Sequence, residues 1–141
     1  MRPRDLSPEE KQRLRALITA WLEEKREILF AYVYGSFVQA PFRDIDIAVF
    51  LADGSIGLSD PLRYELTLAQ ELEEATGVPI DVRVLTTAPL SFAFTVIRTG
   101  EILVSRDEEA RCEFICRILV EYHDFSYHRE RYRREVLGLL R

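Results

Sequence analysis

Two aspartates, Asp44 and Asp46, open an apolar run that continues Ile47-Ala48-Val49-Phe50. Alternate side chains of a strand share a face, so both carboxylates point one way and Ile45, Ile47 and Val49 the other. Carboxylates side by side repel, and each is costly to desolvate without a compensating cation. Hard divalent ions such as magnesium take oxygen ligands of this kind and often bridge them to substrate phosphates. Asp-x-Asp alone also describes two solvated acids at a frayed strand start. Two further features weigh toward a site. Gly35-Ser36 closes the preceding apolar run, Ile28 to Tyr34. A glycine lets backbone approach phosphate closely, and the Ser36 hydroxyl with nearby N–H groups can donate to terminal phosphate oxygens. Asp81 lies in a third apolar run, with Ile80, Val82 and Val84 on one side and Asp81 and Arg83 on the other.

If the second and third runs are neighbouring strands, Asp81 stands beside Asp46. Three carboxylates can then hold one or two magnesium ions, the second shared with a triphosphate. Such a pair activates an attacking oxygen and neutralises a departing pyrophosphate. Asp81 is the natural acceptor for the proton of an attacking hydroxyl. Arg43, next to the acids, steadies them, contacts phosphate, or forms an ordinary surface ion pair.

The elements that must position these residues can be read in order. Ser7-Pro8-Glu9-Glu10 is a capping box with proline in the first turn, and Leu14, Leu17, Ile18, Trp21 and Leu22 recur at helical spacing, so a helix is expected over 7–27. Strands are expected at 28–34 and 45–51, joined by a loop or single helical turn over 37–43. Residues 52–59 read as a loop. Asp60-Pro61 starts a second long helix with Leu62, Leu66, Ala69 and Leu72 on one face, and Gly77 ends it. A third strand over 78–85, a helix from Pro89 to about Arg98, an edge strand over 101–105 and a helix over 107–123 follow. In that last helix Phe114, Ile115, Ile118 and Leu119 are expected inward. Residues 124–141, rich in tyrosine and arginine, read as a further helix or lightly packed arm. The order is that of an α/β (α+β) domain, a small mixed sheet covered by helices, with the long helix between the second and third strands as a crossover.

Composition bounds what this domain can be. The 141 residues suit a single domain, 1–141, whose segment 107–141 forms a C-terminal helical extension or partner-binding arm. Apolar residues make up 48% and charged residues 30%, as in ordinary globular proteins. A net charge of −5 argues against broad nucleic-acid binding but leaves room for a nucleotide whose phosphates are carried by cations. No apolar run approaches the roughly 20 residues of a membrane span, and the basic start lacks a signal-peptide core, so a cytoplasmic protein is expected. Cys112 and Cys116 stand four apart in a helical pattern, about 5–6 Å between Cβ atoms, too far for a relaxed disulfide. They read as small buried apolar residues of a reduced protein, and a metal site there would need His123 or His128 as well.

Gly35-Ser36, a spacer, Asp44-x-Asp46 and a third acid on a later strand resemble the nucleotidyltransferases of the DNA polymerase β type, in their minimal branch. The tail is similar to that of the adenylyltransferase antitoxins paired with helical HEPN ribonuclease toxins. The residues that carry this are Ile102-Leu103-Val104-Ser105-Arg106-Asp107, Ala110-Arg111 and Glu121-Tyr122-His123-Asp124-Phe125. The resemblance spans about residues 28–134. It implies transfer of AMP from ATP to a hydroxyl with release of pyrophosphate, the acceptor being a tyrosine of the cognate toxin. Asp44 and Asp46 would be magnesium ligands, Asp81 the third ligand and base, and Gly35 and Ser36 the holders of the nucleotide phosphates. The chain departs from the pattern on the phosphate side. The spacer is short, Val38-Gln39-Ala40-Pro41 replaces a small-Arg-Gly element, and Arg43 stands where a serine is usual. A small-molecule nucleotidyltransferase of the aminoglycoside type is the enzymatic alternative, although those usually carry an added helical domain. An antitoxin that acts by binding alone is the non-enzymatic one.

Overall fold

Ser7 caps the first helix as its sequence predicts. Its hydroxyl oxygen accepts from the Glu10 backbone N–H at 3.2 Å, and Pro8 occupies the first turn of α1 (Pro8–Glu23), where no N–H is required. The computed structural model describes residues 6–39 and 41–139. Ala40 of the spacer and the ends of the expected 1–141 domain, residues 1–5 and 140–141, lie outside the described residues.

After α1 come β1 (Ile28–Tyr34), a single turn α2 (Ser36–Gln39) and β2 (Ile45–Leu51). The stretch read as a loop contains one helical turn, α3 (Ile56–Ser59), before α4 (Pro61–Thr76). Asp60 caps α4 by accepting from Arg63 N–H at 3.3 Å, and Gly77 ends it with φ of 73°, the left-handed conformation that glycine adopts freely. Then follow β3 (Ile80–Val84), α5 (Leu90–Thr99), β4 (Glu101–Ser105) and α6 (Glu108–Leu139).

The strands form one sheet in the order β3-β2-β1-β4. β1 is antiparallel to both β2 and β4. β2 and β3 are parallel, and α4 makes the crossover that parallel pairing demands. The short α2 turn is enough for the antiparallel β1–β2 connection. Both faces of the sheet are covered. On one, Ile45, Ile47, Val49 and their neighbours Val33, Ile80 and Val82 pack with Ile18 and Leu22 of α1 and Leu68 and Leu72 of α4. On the other, Phe30, Tyr32 and Ala48 pack with Ala93 and Val96 of α5 and Phe114 and Ile118 of α6.

The structure corrects several expectations. α4 buries Leu68 and Leu72, whereas Leu62 and Leu66 are 64% and 63% exposed. The stripe is turned because Glu65 and Glu73 must reach β3, whose outer backbone has no strand beside it. Glu65 Oε2 accepts from Val84 N–H at 2.7 Å and Glu73 Oε1 from Ile80 N–H at 3.0 Å. The two C-terminal helices are one helix, since nothing between 107 and 139 breaks helical backbone, with neither glycine nor proline before Gly138. Phe114 and Ile118 face inward as expected, but Leu119 is exposed and Ile115 only half buried. Cys112 and Cys116 are exposed rather than buried, because they lie off the Phe114–Ile118 stripe that α6 presents to the sheet.

Candidate active site

The pairing of three strands brings the sequence-predicted acids together. Across the antiparallel β1–β2 pair Tyr34 stands opposite Asp46, and across the parallel β2–β3 pair Asp46 stands opposite Asp81. Tyr34, Asp46 and Asp81 thus form one row at the end of the face covered by α5 and α6. Asp44, two residues before Asp46, precedes the strand. Its charge reaches the same row. Burial first, then Asp44 and Asp81, push the Asp46 carboxyl up to about 6, with Arg83 pulling the other way. The Tyr34 hydroxyl is likewise pushed upward by burial and by Asp46, and so stays protonated.

Gly35 and Ser36 leave β1 beside this row. Gly35 has φ of 79°, and a Cβ placed there would run into Oδ2 of Asp46. Glycine is therefore required twice over, for its backbone conformation and for the room it leaves the carboxylate. Ser36 is exposed at the start of α2. The turn behind it is fastened to α1 by Lys11, whose Nζ donates to the Phe37 carbonyl at 3.1 Å. That ammonium also lies 5.4 Å from the Phe37 ring and 5.5 Å from the Phe42 ring, within cation–π range. Arg43 is exposed.

Three side chains at the site were not read from the sequence as functional. Tyr34 could have been found as the last strand residue before Gly35-Ser36. Arg83 could have been found by its two-residue offset from Asp81. Its Nε meets Asp81 Oδ2 at 3.5 Å, and in the next row it stands opposite Ala48. Phe92 of α5 meets the Tyr34 ring edge-on at 5.6 Å between centroids; only the fold brings it there. A cleft of about 320 Å³ between β3 and α5 is lined by Arg83, Phe92 and Pro89 among others. A larger one of about 450 Å³, beside Leu29, Phe50 and Arg117, opens toward the opposite end of these strands.

The donor chemistry of Asp44, Asp46 and Asp81 fits a hard divalent cation: all oxygen, all anionic when ionised, and each partly accessible. Among the described residues no group of three His, Cys, Asp or Glu side chains stands close enough together to hold an ion as placed, Asp44, Asp46 and Asp81 included. No described helix is long and apolar enough to cross a membrane.

The model of the family "Polymerase beta, Nucleotidyltransferase" matches residues 17–109. The chain belongs to that nucleotidyltransferase family. The match runs from α1 through the start of α6 and contains every acid of the site. No curated protein matches this nucleotidyltransferase in sequence. Several solved structures share its fold. One is a chain of a tri-AMPylated Shewanella oneidensis HEPN toxin in complex with MNT antitoxin, 23% identical, covering 90% of this chain and 98% of that one, with a TM-score of 0.68. Another is from the toxin–antitoxin complex MntA–HepT, 22% identical, with 89% and 98% covered and a TM-score of 0.66. A third is from a toxin–antitoxin structure with AMP-PNP, 22% identical, with 88% and 98% covered and a TM-score of 0.64.

Proposed function

We propose that this nucleotidyltransferase transfers AMP from ATP to a tyrosine hydroxyl of a HEPN-type helical toxin and so acts as its antitoxin. The observation that carries the reading is the row of Asp46 and Asp81 on adjacent parallel strands, with Asp44 before it and Gly35-Ser36 beside it. The likeness in fold to antitoxin–toxin complexes, one with an AMPylated toxin and one with an ATP analogue, supports it.

In this reading Asp44, Asp46 and Asp81 would hold one or two magnesium ions, which when bound supply the positive charge that the phosphates require. The chain's own residues do the rest. Gly35 keeps the backbone low beside Asp46, and Ser36 donates its hydroxyl to the terminal phosphates. Asp81 takes the proton of the attacking hydroxyl. Asp46, crowded by Asp44 and Asp81, is relieved when positive charge arrives. Residues 1–141 make a single nucleotidyltransferase domain. The outer half of α6 is its partner-binding arm, with Phe125 and Tyr127 56% and 61% exposed among arginines. That arm also favours a second reading, an antitoxin that works by binding alone.

Labelled ATP, magnesium and the product of the neighbouring gene separate the two, run beside an Asp44→Ala/Asp46→Ala double variant. Label on the partner with wild type and none with the variant is the expected result. Equal neutralisation of the partner by both proteins, without label, would leave only the binding role.

A further inference from the structure

Arg83 meets Asp81 through Nε at 3.5 Å, and it borders a cleft that the proposed function does not use. We propose that the cleft of about 320 Å³ between β3 and α5 is the acceptor subsite. It takes an aromatic hydroxyl, ring against Phe92 and oxygen between Arg83 and Asp81. This rests on the nucleotidyl-transfer reading above and gives it a place for the second substrate.

Position is the first argument. Phe92 meets Tyr34 edge-on, and Tyr34 is paired with Asp46. Arg83 lies on the opposite wall and meets Asp81 through Nε. Two side chains that line the cleft therefore touch the acid row, Phe92 through Tyr34 and Arg83 through Asp81, the residue that would accept the acceptor's proton.

Lining is the second. Phe92, Pro89 and Ala88 give an apolar wall, and Thr87 adds a hydroxyl. Glu65 also borders the cleft, but its Oε2 is engaged by the Val84 N–H. An aromatic ring finds an edge or face partner in Phe92. A guanidinium at the mouth favours an oxygen that is becoming anionic and disfavours an ammonium. The volume stands at the low end of ligand sites, about 300–1,000 Å³, enough for one side chain.

Chemistry is the third. The acceptor O–H bond breaks and its proton passes to the Asp81 carboxylate. The oxygen's electron pair forms the new bond to the α-phosphorus of the nucleoside triphosphate. The bond from that phosphorus to the bridging oxygen breaks, and pyrophosphate leaves with the electrons. Arg83 stabilises the attacking oxygen as its charge grows. A phenol, with a pKa near 10, reaches that anionic character far more readily than an aliphatic alcohol.

The test uses the intact protein with N-acetyl-tyrosinamide and N-acetyl-serinamide as probes. Wild type should label the tyrosine probe and not the serine probe. R83Q and F92A should each raise the KM for the tyrosine probe at least tenfold while the KM for ATP stays within twofold. R83K and F92L, which keep charge and apolar volume, should recover most of the loss. Independently of turnover, adding the tyrosine probe in the presence of a non-hydrolysable ATP analogue should shift the backbone amide resonances of Thr87, Ala88 and Phe92. Label transfer with an unaltered acceptor KM in both R83Q and F92A would overturn the cleft and leave the transfer reading standing. Cleft resonances that shift while neither probe nor protein partner is labelled would overturn the transfer reading, and the acceptor role with it.

Discussion

Asp46 carries its charge between a tyrosine and a second aspartate, and burial together with Asp44 and Asp81 push its pKa up to about 6. An acid whose folded pKa stands above its unfolded value holds its proton more tightly in the fold. Its ionisation therefore weighs against folding. The contribution is neutral below about pH 4, grows unfavourable as pH rises through 6 and then levels off. In chelator, the thermal midpoint should decline across that window more in wild type than in Asp46→Asn, measured by calorimetry at stepped pH. At neutral pH Asp46→Asn should melt higher by roughly 2–5 °C and transfer no label. Gly35 is the complementary case. Gly35→Ala forces a left-handed residue at a cost of about 1–2 kcal/mol and displaces the Asp46 carboxylate. Transfer should drop by on the order of 100-fold, as a displacement of about 1 Å in a catalytic group does. The sequence placed Asp46 and Asp81 on matching strand faces because alternation is a property of backbone alone, whereas Asp44, expected on the same strand face, precedes β2. The sequence did not place Phe92, whose approach to Tyr34 depends on how α5 crosses the sheet.

Arg106 shows what a single side chain does for element packing. Its Nε donates to the Ile28 carbonyl at 2.7 Å, and its Nη2 to the carbonyls of Glu23 at 2.7 Å and Lys25 at 3.4 Å. It thereby ties the end of α1, the start of β1 and the exit of β4 together. Arg106→Ala should cost about 2–3 kcal/mol, read as a lower urea midpoint with unchanged slope. The outer edge of β3 makes a second case. Exposed strand edges invite pairing with other chains, and here two carboxylates from α4 occupy the outward N–H groups of Ile80 and Val84. A Glu65→Ala/Glu73→Ala variant should self-associate at concentrations where wild type sediments unchanged. Glu65 and Glu73 also explain why the helix face was misread. Leu62 and Leu66 satisfy the apolar period as well as Leu68 does, and nothing local says that two glutamates must turn toward the sheet instead. Cys112 and Cys116 were misread similarly, since their spacing suits a buried stripe but the stripe chosen runs through Phe114 and Ile118.

At the scale of the molecule, α6 is out of proportion to the domain. Its 32 residues span about 48 Å at 1.5 Å each. Its inner half packs on α5 and β1, ending at Tyr122, whose ring stacks flat on Phe94 at 3.7 Å. From His123 onward every described side chain is exposed. A chain ending at His123 should therefore melt within a few degrees of the full chain while losing, on the proposed antitoxin reading, affinity for the toxin in a pull-down or titration. The antiparallel first pair and the crossover were legible in advance, because an antiparallel pair needs only a short turn and a parallel pair needs a helix; the full strand order was not, since nothing local says that β4 joins β1. The single long helix was not, because tyrosine- and arginine-rich segments describe an arm equally well. α5 holds Phe94 against Tyr122 and, two residues earlier, Phe92 against Tyr34. On the two proposals above, a partner gripping the outer half of α6 and an acceptor ring entering beside Phe92 would pull on the same ten-residue helix. Linkage is reciprocal: by whatever factor grip on the arm tightens the cleft, a filled cleft tightens the grip, and once the ring, now carrying the transferred AMP, has left the cleft, both loosen together.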